Sequence, residues 1–210
     1  MTTNGSAEHT ITTLEELERH YGPKNPASMW KELDHIHPHY RAMIEASPFV
    51  AIATVGPDGT DCTPKGDPAG FVHVEDEKTL MIPDRPGNNR LDSWRNIIAD
   101  PRVSILFLIP GVGETLRVNG RAAISIDPAL RERFAVQNKP ARAVLVVSVD
   151  RVYFHCSKAI VRSKLWDPAR FIERSALPST GTMVGTFSQG AIDGEAYDRE
   201  LPTRIPAQLY

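Results

Sequence analysis

The sequence has little of what marks secreted, membrane or nucleic-acid-binding proteins. It holds two cysteines, Cys62 and Cys156, among 210 residues, too few for a disulfide framework. Its longest apolar run, residues 103–109, is far shorter than the roughly 20 residues of a membrane helix, and the N-terminus lacks a signal-peptide core. The net charge of −2 gives no overall basic character. These absences predict a cytoplasmic protein with no membrane or nucleic-acid partner.

The order of the elements favours an antiparallel β structure. Apolar and β-branched stretches recur after Ser47-Pro48, with turn sequences between most of them. They cover residues 49–55, 61–65, 70–74, 79–82, 102–109, 115–126 and 142–154. Few helices interrupt them, notably at residues 91–98 and after Asp127-Pro128. Strands that follow one another through turns, with few helices between them, predict a mainly β (α+β) antiparallel barrel rather than a Rossmann sheet.

The flanking regions differ from this central part. Thr13 and Glu16 have the spacing of a capping box, and residues 29–36 repeat apolar side chains at helical spacing. From Pro178 onward the chain is rich in glycine, proline and polar residues, so we expect this tail to wrap a surface. The sequence therefore predicts a helical extension packed on the barrel (residues 1–47), a barrel domain (48–168) and a C-terminal tail (169–210).

One polar segment has the composition of a phosphate site. Residues 82–90, IPDRPGNNR, lie between a predicted strand and a predicted helix and combine a glycine, two amides and two guanidinium groups. Helix N-terminal N–H groups and arginines bind phosphate dianions. The spacing matches neither a Walker loop nor a dinucleotide fingerprint. A capped helix after a polar turn is the alternative interpretation.

Two further segments carry cationic side chains. Residues 62–67 place Lys65 near a strand end, where it could neutralise a ligand anion or belong to a solvated turn. Lys158, Arg162 and Trp166 are four residues apart, so a helix would present them on one face. Such a face suits the anionic edge of a reduced flavin. An amphipathic surface helix with its tryptophan packed inward is the alternative.

Together these segments resemble the flavin-nucleotide-binding branch of the pyridoxamine 5′-phosphate oxidase-like proteins. The matching stretches are SPFVAIATVGPDGTDCTPKGDPAGFV, LMIPDRPGNNRLDSWRNIIADPRVSILFLIPG, ETLRVNGRA and VYFHCSKAIVRSKLWDP. They occur in family order over roughly residues 40–168, and IPDRPGNNR and FHCSKAIVRSKLW are the most specific. The resemblance implies a six-stranded antiparallel split β-barrel with short flanking helices. It also implies a homodimer with FMN at the subunit interface.

The resemblance also implies site residues. It places Asn88, Asn89 and Arg90 on the FMN phosphate, with Arg85 and Lys65 adding charge. It places Thr63, Pro64, Pro83 and Asp84 along the ribityl chain or ring, and Thr115 near the flavin. The site would be closed, from the partner subunit, by His155, Lys158, Arg162, Ser163 and Trp166. The oxidases carry Ser-Arg-Lys where this chain has residues 88–90, and their substrate segment differs from RSKLWDP, so we expect a substrate other than pyridoxamine phosphate.

The leading functional hypothesis is an FMN-dependent oxidoreductase acting on an unidentified small molecule, with no catalytic side chain assigned. Two alternatives stay open: a non-catalytic flavin-binding, storage or redox-sensing protein, and a deazaflavin-dependent reductase.

Two other clusters favour structural interpretations. His35, His37 and His39 alternate beside Asp34, but the surroundings read as helical and no zinc motif accompanies them. We therefore expect a solvated helix junction and no metal site. Cys156 follows His155, and adjacent strand residues point to opposite faces. A structural or flavin-adjacent cysteine is preferred to a nucleophile.

Overall fold

The computed structural model describes residues 9–210. The chain divides into two compact units, one ending at Glu32 and the other running from Leu33 to Tyr210. The described part of the first unit contains helices α1 (Leu14–Tyr21) and α2 (Ala27–Trp30). As predicted, α1 begins at a capping box in which Thr13 and Glu16 each accept a backbone N–H from the other.

The second unit is built around one antiparallel sheet. Its strands are β1 (Phe49–Gly56), β2 (Gly59–Gly66), β3 (His73–Asp76), β4 (Thr79–Asp84), β5 (Arg102–Leu108), β6 (Thr115–Ser125) and β7 (Ala143–His155). Its α-helices are α3 (Pro38–Ala46), α4 (Asp92–Ala99), α5 (Pro128–Arg133), α6 (Lys158–Ser163), α7 (Thr180–Phe187) and α8 (Gly194–Ala207). The strand order is β2-β1-β5-β6-β7-β4-β3. The predicted count of six strands is wrong by one, because the short β3 pairs with β4 and adds an edge to the sheet.

The core lies on one face of the central strands. Alternate residues of β1 and β5, such as Ile52 and Phe107, are fully buried, as the period-2 pattern requires. Helix α4 packs on β1 at Gly56, where a Cβ would lie 2.1 Å from Asn96 Oδ1. This close approach holds the middle of α4 against the sheet, because a side chain at Gly56 would collide with Asn96.

The predicted helix over residues 29–36 is wrong. Helix α2 ends at Trp30, and Leu33 instead exchanges two backbone hydrogen bonds with Val152 of β7, at 3.0 and 2.8 Å. The backbone N–H of Ile36 donates to Glu77 O at 2.7 Å. The backbone groups of Leu33 and Ile36, which a helix would have bonded internally, instead bond to β7 and to the turn between β3 and β4. Tertiary pairing thus overrides the helical spacing of the apolar residues.

The C-terminal segment is more helical than its composition predicts. Residues 178–210 contain α7 and α8, although α8 includes Pro202 and Pro206. Helix α6 ends earlier than expected, at Ser163, because Lys164 adopts left-handed backbone angles with φ of 52°. Within residues 9–210, none of the helices is long and apolar enough to cross a membrane.

Candidate functional site

A cavity opens where the C-terminal ends of β2 and β4 face each other. In the described sheet these strands are not hydrogen-bonded neighbours, since β2 pairs with β1 at one edge and β4 lies between β7 and β3. The space between them, closed by α4 and its preceding loop, has a volume of about 430 Å³. It is lined by nine of the residues predicted for a cofactor site: Thr63, Pro64, Lys65, Pro83, Asp84, Arg85, Asn88, Asn89 and Arg90. Two motifs that are separate in the sequence therefore meet in one cavity.

Two ion pairs span the gap between these strand ends. Lys65 Nζ lies 2.7 Å from Asp84 Oδ1, and Arg85 Nε lies 2.9 Å from Asp67 Oδ2. The side chains of the second pair are only 17% and 5% exposed, so solvent screens this pair weakly. Lys65 also lies 4.9 Å above the ring of Trp94, which lines the cavity. The charges of both predicted cations are therefore already balanced by carboxylates.

The loop before α4 has a defined conformation. Asn88 Oδ1 accepts from the backbone N–H of Arg90 at 2.9 Å, and Asn89 adopts left-handed angles with φ of 58°, which asparagine tolerates better than most residues. Arg90 Nε donates to Asp92 at the start of α4. The N-cap of α4 is Leu91, which makes no side-chain capping hydrogen bond. The first N–H groups of α4 therefore receive no side-chain cap from Leu91, which itself lines the cavity.

Sequence reasoning missed Arg142, which also lines the cavity. Its backbone N–H donates to Asp84 O at 3.0 Å, and its Nη1 donates to Asn89 Oδ1 at 2.5 Å. Within the described residues its guanidinium has this neutral amide and no carboxylate as a partner. Arg142 directly precedes β7, so only the pairing of β7 with β4 brings it to the loop. No spacing along the chain signals that contact.

A comparison with models of protein families shows to which family this fold belongs. The family model described as pyridoxamine 5′-phosphate oxidase matches residues 36–156, more than half of the chain. The chain belongs to this family. It has the split-barrel fold of the family, which confirms the expected resemblance at the level of the fold, while the flavin-binding branch stays a prediction.

The solved structures to which this chain is similar are distant from it in sequence. HupZ from Group A Streptococcus is 20% identical, over 56% of this chain and 91% of that chain, with a TM-score of 0.46. A candidate pyridoxamine 5′-phosphate oxidase from Lactobacillus delbrueckii is 19% identical, over 59% and 98%, with a TM-score of 0.46. General Stress Protein 26 from Bacillus anthracis is 17% identical, over 54% and 88%, with a TM-score of 0.41. The curated proteins give no match.

The remaining predicted site residues of this oxidase-family chain lie at the other ends of β6 and β7. Thr115 pairs with His155 across these strands, and α6 follows directly. Because α6 ends at Ser163, Trp166 does not continue the predicted helical face, and its indole N–H donates to Val112 O at 2.8 Å. The residues in this second group do not line the cavity of their own chain: Thr115, His155, Lys158, Arg162, Ser163 and Trp166.

The structure also shows the surroundings of the histidines near Asp34 and of the two cysteines. Among residues 9–210, no group of three or more histidine, cysteine or acidic side chains is arranged to hold a metal ion. His37 accepts the backbone N–H of His39 and caps α3, and Asp34 binds His35 and Lys78. Lys78 and His35 hold the pKa of Asp34 down to about 2. Cys62 and Cys156 are free and exposed.

Proposed function

We propose that this chain is an FMN-binding flavoprotein that works as an FMN-dependent oxidoreductase on a small molecule. The observation that carries the proposal is the corner formed by Asn89, Arg90 and Arg142. There, the guanidinium of Arg142, which has no carboxylate partner among residues 9–210, meets a side-chain amide close to the start of a helix. This combination of groups is suited to a phosphate dianion.

The rest of the cavity fits a flat ring on a polar chain. Pro64, Pro83 and Trp94 supply apolar wall, while Thr63 and the Lys65–Asp84 pair supply polar contacts. A volume of about 430 Å³ is in the usual range for small-ligand sites. Bound FMN would supply a redox centre that takes up a hydride or single electrons. The residues of this chain would bind the phosphate, orient the ring and set the charge around it.

A homodimer would give the second group of residues a role. Thr115 and His155, together with α6, do not line the cavity of their own chain, and apolar side chains nearby are exposed, including Val161 at 65% and Leu165 at 43%. In a dimer these surfaces would be covered, and Lys158 and Arg162 could reach the flavin edge in the partner subunit. Light scattering tests this: we expect about twice the monomer mass of 23.3 kDa.

The first experiment on the cofactor is the visible spectrum of the freshly purified protein. Bands near ~370 and ~450 nm, as for any oxidised flavin, and FMN identified by mass after heat release would support the proposal. A colourless protein that also refuses added FMN would refute it. Steady turnover with NAD(P)H or oxygen would support the enzyme, whereas tight FMN binding without turnover would favour a carrier or sensor. A protein that gains colour only with deazaflavin would indicate the third alternative.

A further inference from the structure

The C-terminal helices form a pair that is held together from within. Gly181 of α7 and Gly194 of α8 pack so closely that a Cβ on Gly181 would lie 2.0 Å from Gly194 O. Asp198 accepts from the Gly181 backbone N–H at 2.7 Å and from the Ser179 hydroxyl. These contacts fix α7 against α8 without help from the barrel.

Tyr210 joins this pair to the barrel. Within the residues that the structure describes, two hydrogen bonds connect residues 178–210 to the barrel, and Tyr210 makes both. Its hydroxyl donates to Asp67 Oδ1 at 2.5 Å, and its carbonyl oxygen accepts from Lys139 Nζ at 2.7 Å. Its ring lies 5.5 Å from the guanidinium carbon of Arg85. These two hydrogen bonds and the ring contact make Tyr210 a point of attachment between this segment and the barrel.

The attachment point is part of the cavity wall. Asp67 and Arg85 form the less exposed of the two ion pairs that span β2 and β4, and both line the cavity. Arg85 also donates to Phe134 O at 2.7 Å, so its donors are directed away from the phosphate corner. The hydrogen bond to Asp67 raises the pKa of Tyr210 above its ordinary value, so the phenol stays protonated as a donor. Tyr210 therefore completes the polar network around Arg85.

We propose that Tyr210 is a positioning residue that tethers the C-terminal helix pair to the cavity wall and thereby slows the entry and release of the flavin. The inference rests on the proposed function. The tether holds Asp67 and Arg85, two residues of the cavity wall, in one arrangement, so that this part of the wall moves less while the phenol is bound. Without Tyr210, Arg85 exposes one face of its guanidinium and the wall between β2 and β4 loosens.

Stopped-flow fluorescence of FMN provides the functional test. Loss of a hydrogen bond to a charged group shifts the equilibrium that the bond supports, here the attachment of Tyr210 to Asp67, by roughly tenfold or more. If FMN leaves when this attachment is broken, Tyr210→Ala should accelerate FMN release about tenfold. Tyr210→Phe keeps the ring over Arg85 and should give a smaller acceleration. Tyr197→Phe is the matched control, because Tyr197 stacks on Arg204 within the helix pair and does not touch the cavity. Release rates in Tyr210→Ala that equal those of the unchanged protein would overturn the proposal.

Limited trypsin digestion of the flavin-free protein tests the tether itself. We expect Tyr210→Ala to be cut after Arg170 or Arg174, in the exposed segment between the barrel and the helix pair, several times faster than the unchanged protein and Tyr197→Phe. Equal cleavage of all three would show that Tyr210 does not hold the helix pair. Because this readout needs no flavin, a protein that binds no FMN would refute the proposed function while the tether is still tested. Unchanged cleavage in a protein that does bind FMN would refute the tether alone.

Discussion

Replacing Arg142 by glutamine should weaken the binding of FMN and leave the binding of riboflavin unchanged. Glutamine keeps a polar, though shorter, side chain and removes a charge that has no carboxylate partner within residues 9–210. A charge-assisted hydrogen bond contributes about 1.5–3 kcal/mol, and the exposure of Arg142 places the expected effect at the lower end of that range. We therefore expect FMN to bind roughly tenfold more weakly. Riboflavin, which lacks the phosphate, should bind as it does to the unchanged protein.

The assay is titration of each flavin by fluorescence quenching at low and high salt. Screening weakens an exposed ion contact, so salt should reduce the advantage of FMN over riboflavin in the unchanged protein and have less effect in Arg142→Gln. Arg142→Lys keeps the charge but loses the forked geometry, and should give an intermediate affinity. Arg121→Gln serves as the control, because Arg121 is an exposed arginine on β6 outside the cavity.

Two results would refute the assignment of Arg142. Arg142→Gln could keep the full preference for FMN, which would place the phosphate elsewhere in the cavity. It could also lose both flavins to the same extent, which would show that Arg142 supports the shape of the loop through Asn89 and does not contact the phosphate. In either case FMN binding by the unchanged protein would leave the proposed function standing.

Three further predictions concern stability. His35 and Lys78 lower the pKa of Asp34 to about 2, so the ionised carboxylate stabilises the folded state. This contribution to the free energy of unfolding should be fully present above the unfolded pKa near 4 and be lost as the pH falls through about 2. Urea titrations of Asp34→Asn should lack this acid-dependent loss of stability. Ser47→Ala should cost about 1–3 kcal/mol in urea unfolding, because the one proton of this buried hydroxyl is shared between two backbone carbonyls, Phe49 O and Leu108 O, each 2.8 Å away. Arg85→Met should cost roughly 3 kcal/mol, because the buried Asp67 carboxylate loses its cation and keeps only the Tyr210 hydroxyl as a side-chain donor. The double variant Arg85→Met/Asp67→Leu should recover much of this loss, and no recovery would contradict a buried ion pair.

Local sequence signals predicted most of the barrel. Each predicted strand has a counterpart in the sheet, because burial alternates with a period of two and the turns carry glycine, proline and aspartate. The same holds for α4, whose apolar residues recur at helical spacing. Nine cofactor-site predictions converge on one cavity, since motifs at strand ends meet when the sheet curls. The strands and α4 are thus features that neighbouring residues determine, whereas the cavity depends on the pairing of the whole sheet.

The contacts that the sequence did not predict share a different cause. Leu33 pairs with β7, Arg142 reaches Asn89 through the pairing of β7 with β4, and Tyr210 contacts Asp67 from 143 residues away. In each case the partner is distant in sequence, and no local periodicity encodes it. A prediction from spacing alone could identify charged residues near the cavity but could not say which of them would already have a partner.

That distinction changes the interpretation of the site. A sequence shows Lys65, Arg85 and Arg90 as three cations near a phosphate loop, and each would count as a ligand. In the structure Lys65 and Arg85 bind carboxylates across the gap between β2 and β4, strands that share no hydrogen bonds in the described sheet. Their first role is therefore to hold the open side of the barrel together. Arg142 instead is the candidate cation for a bound anion, and the pairing of β7 with β4 places it beside Asn89 in the phosphate loop.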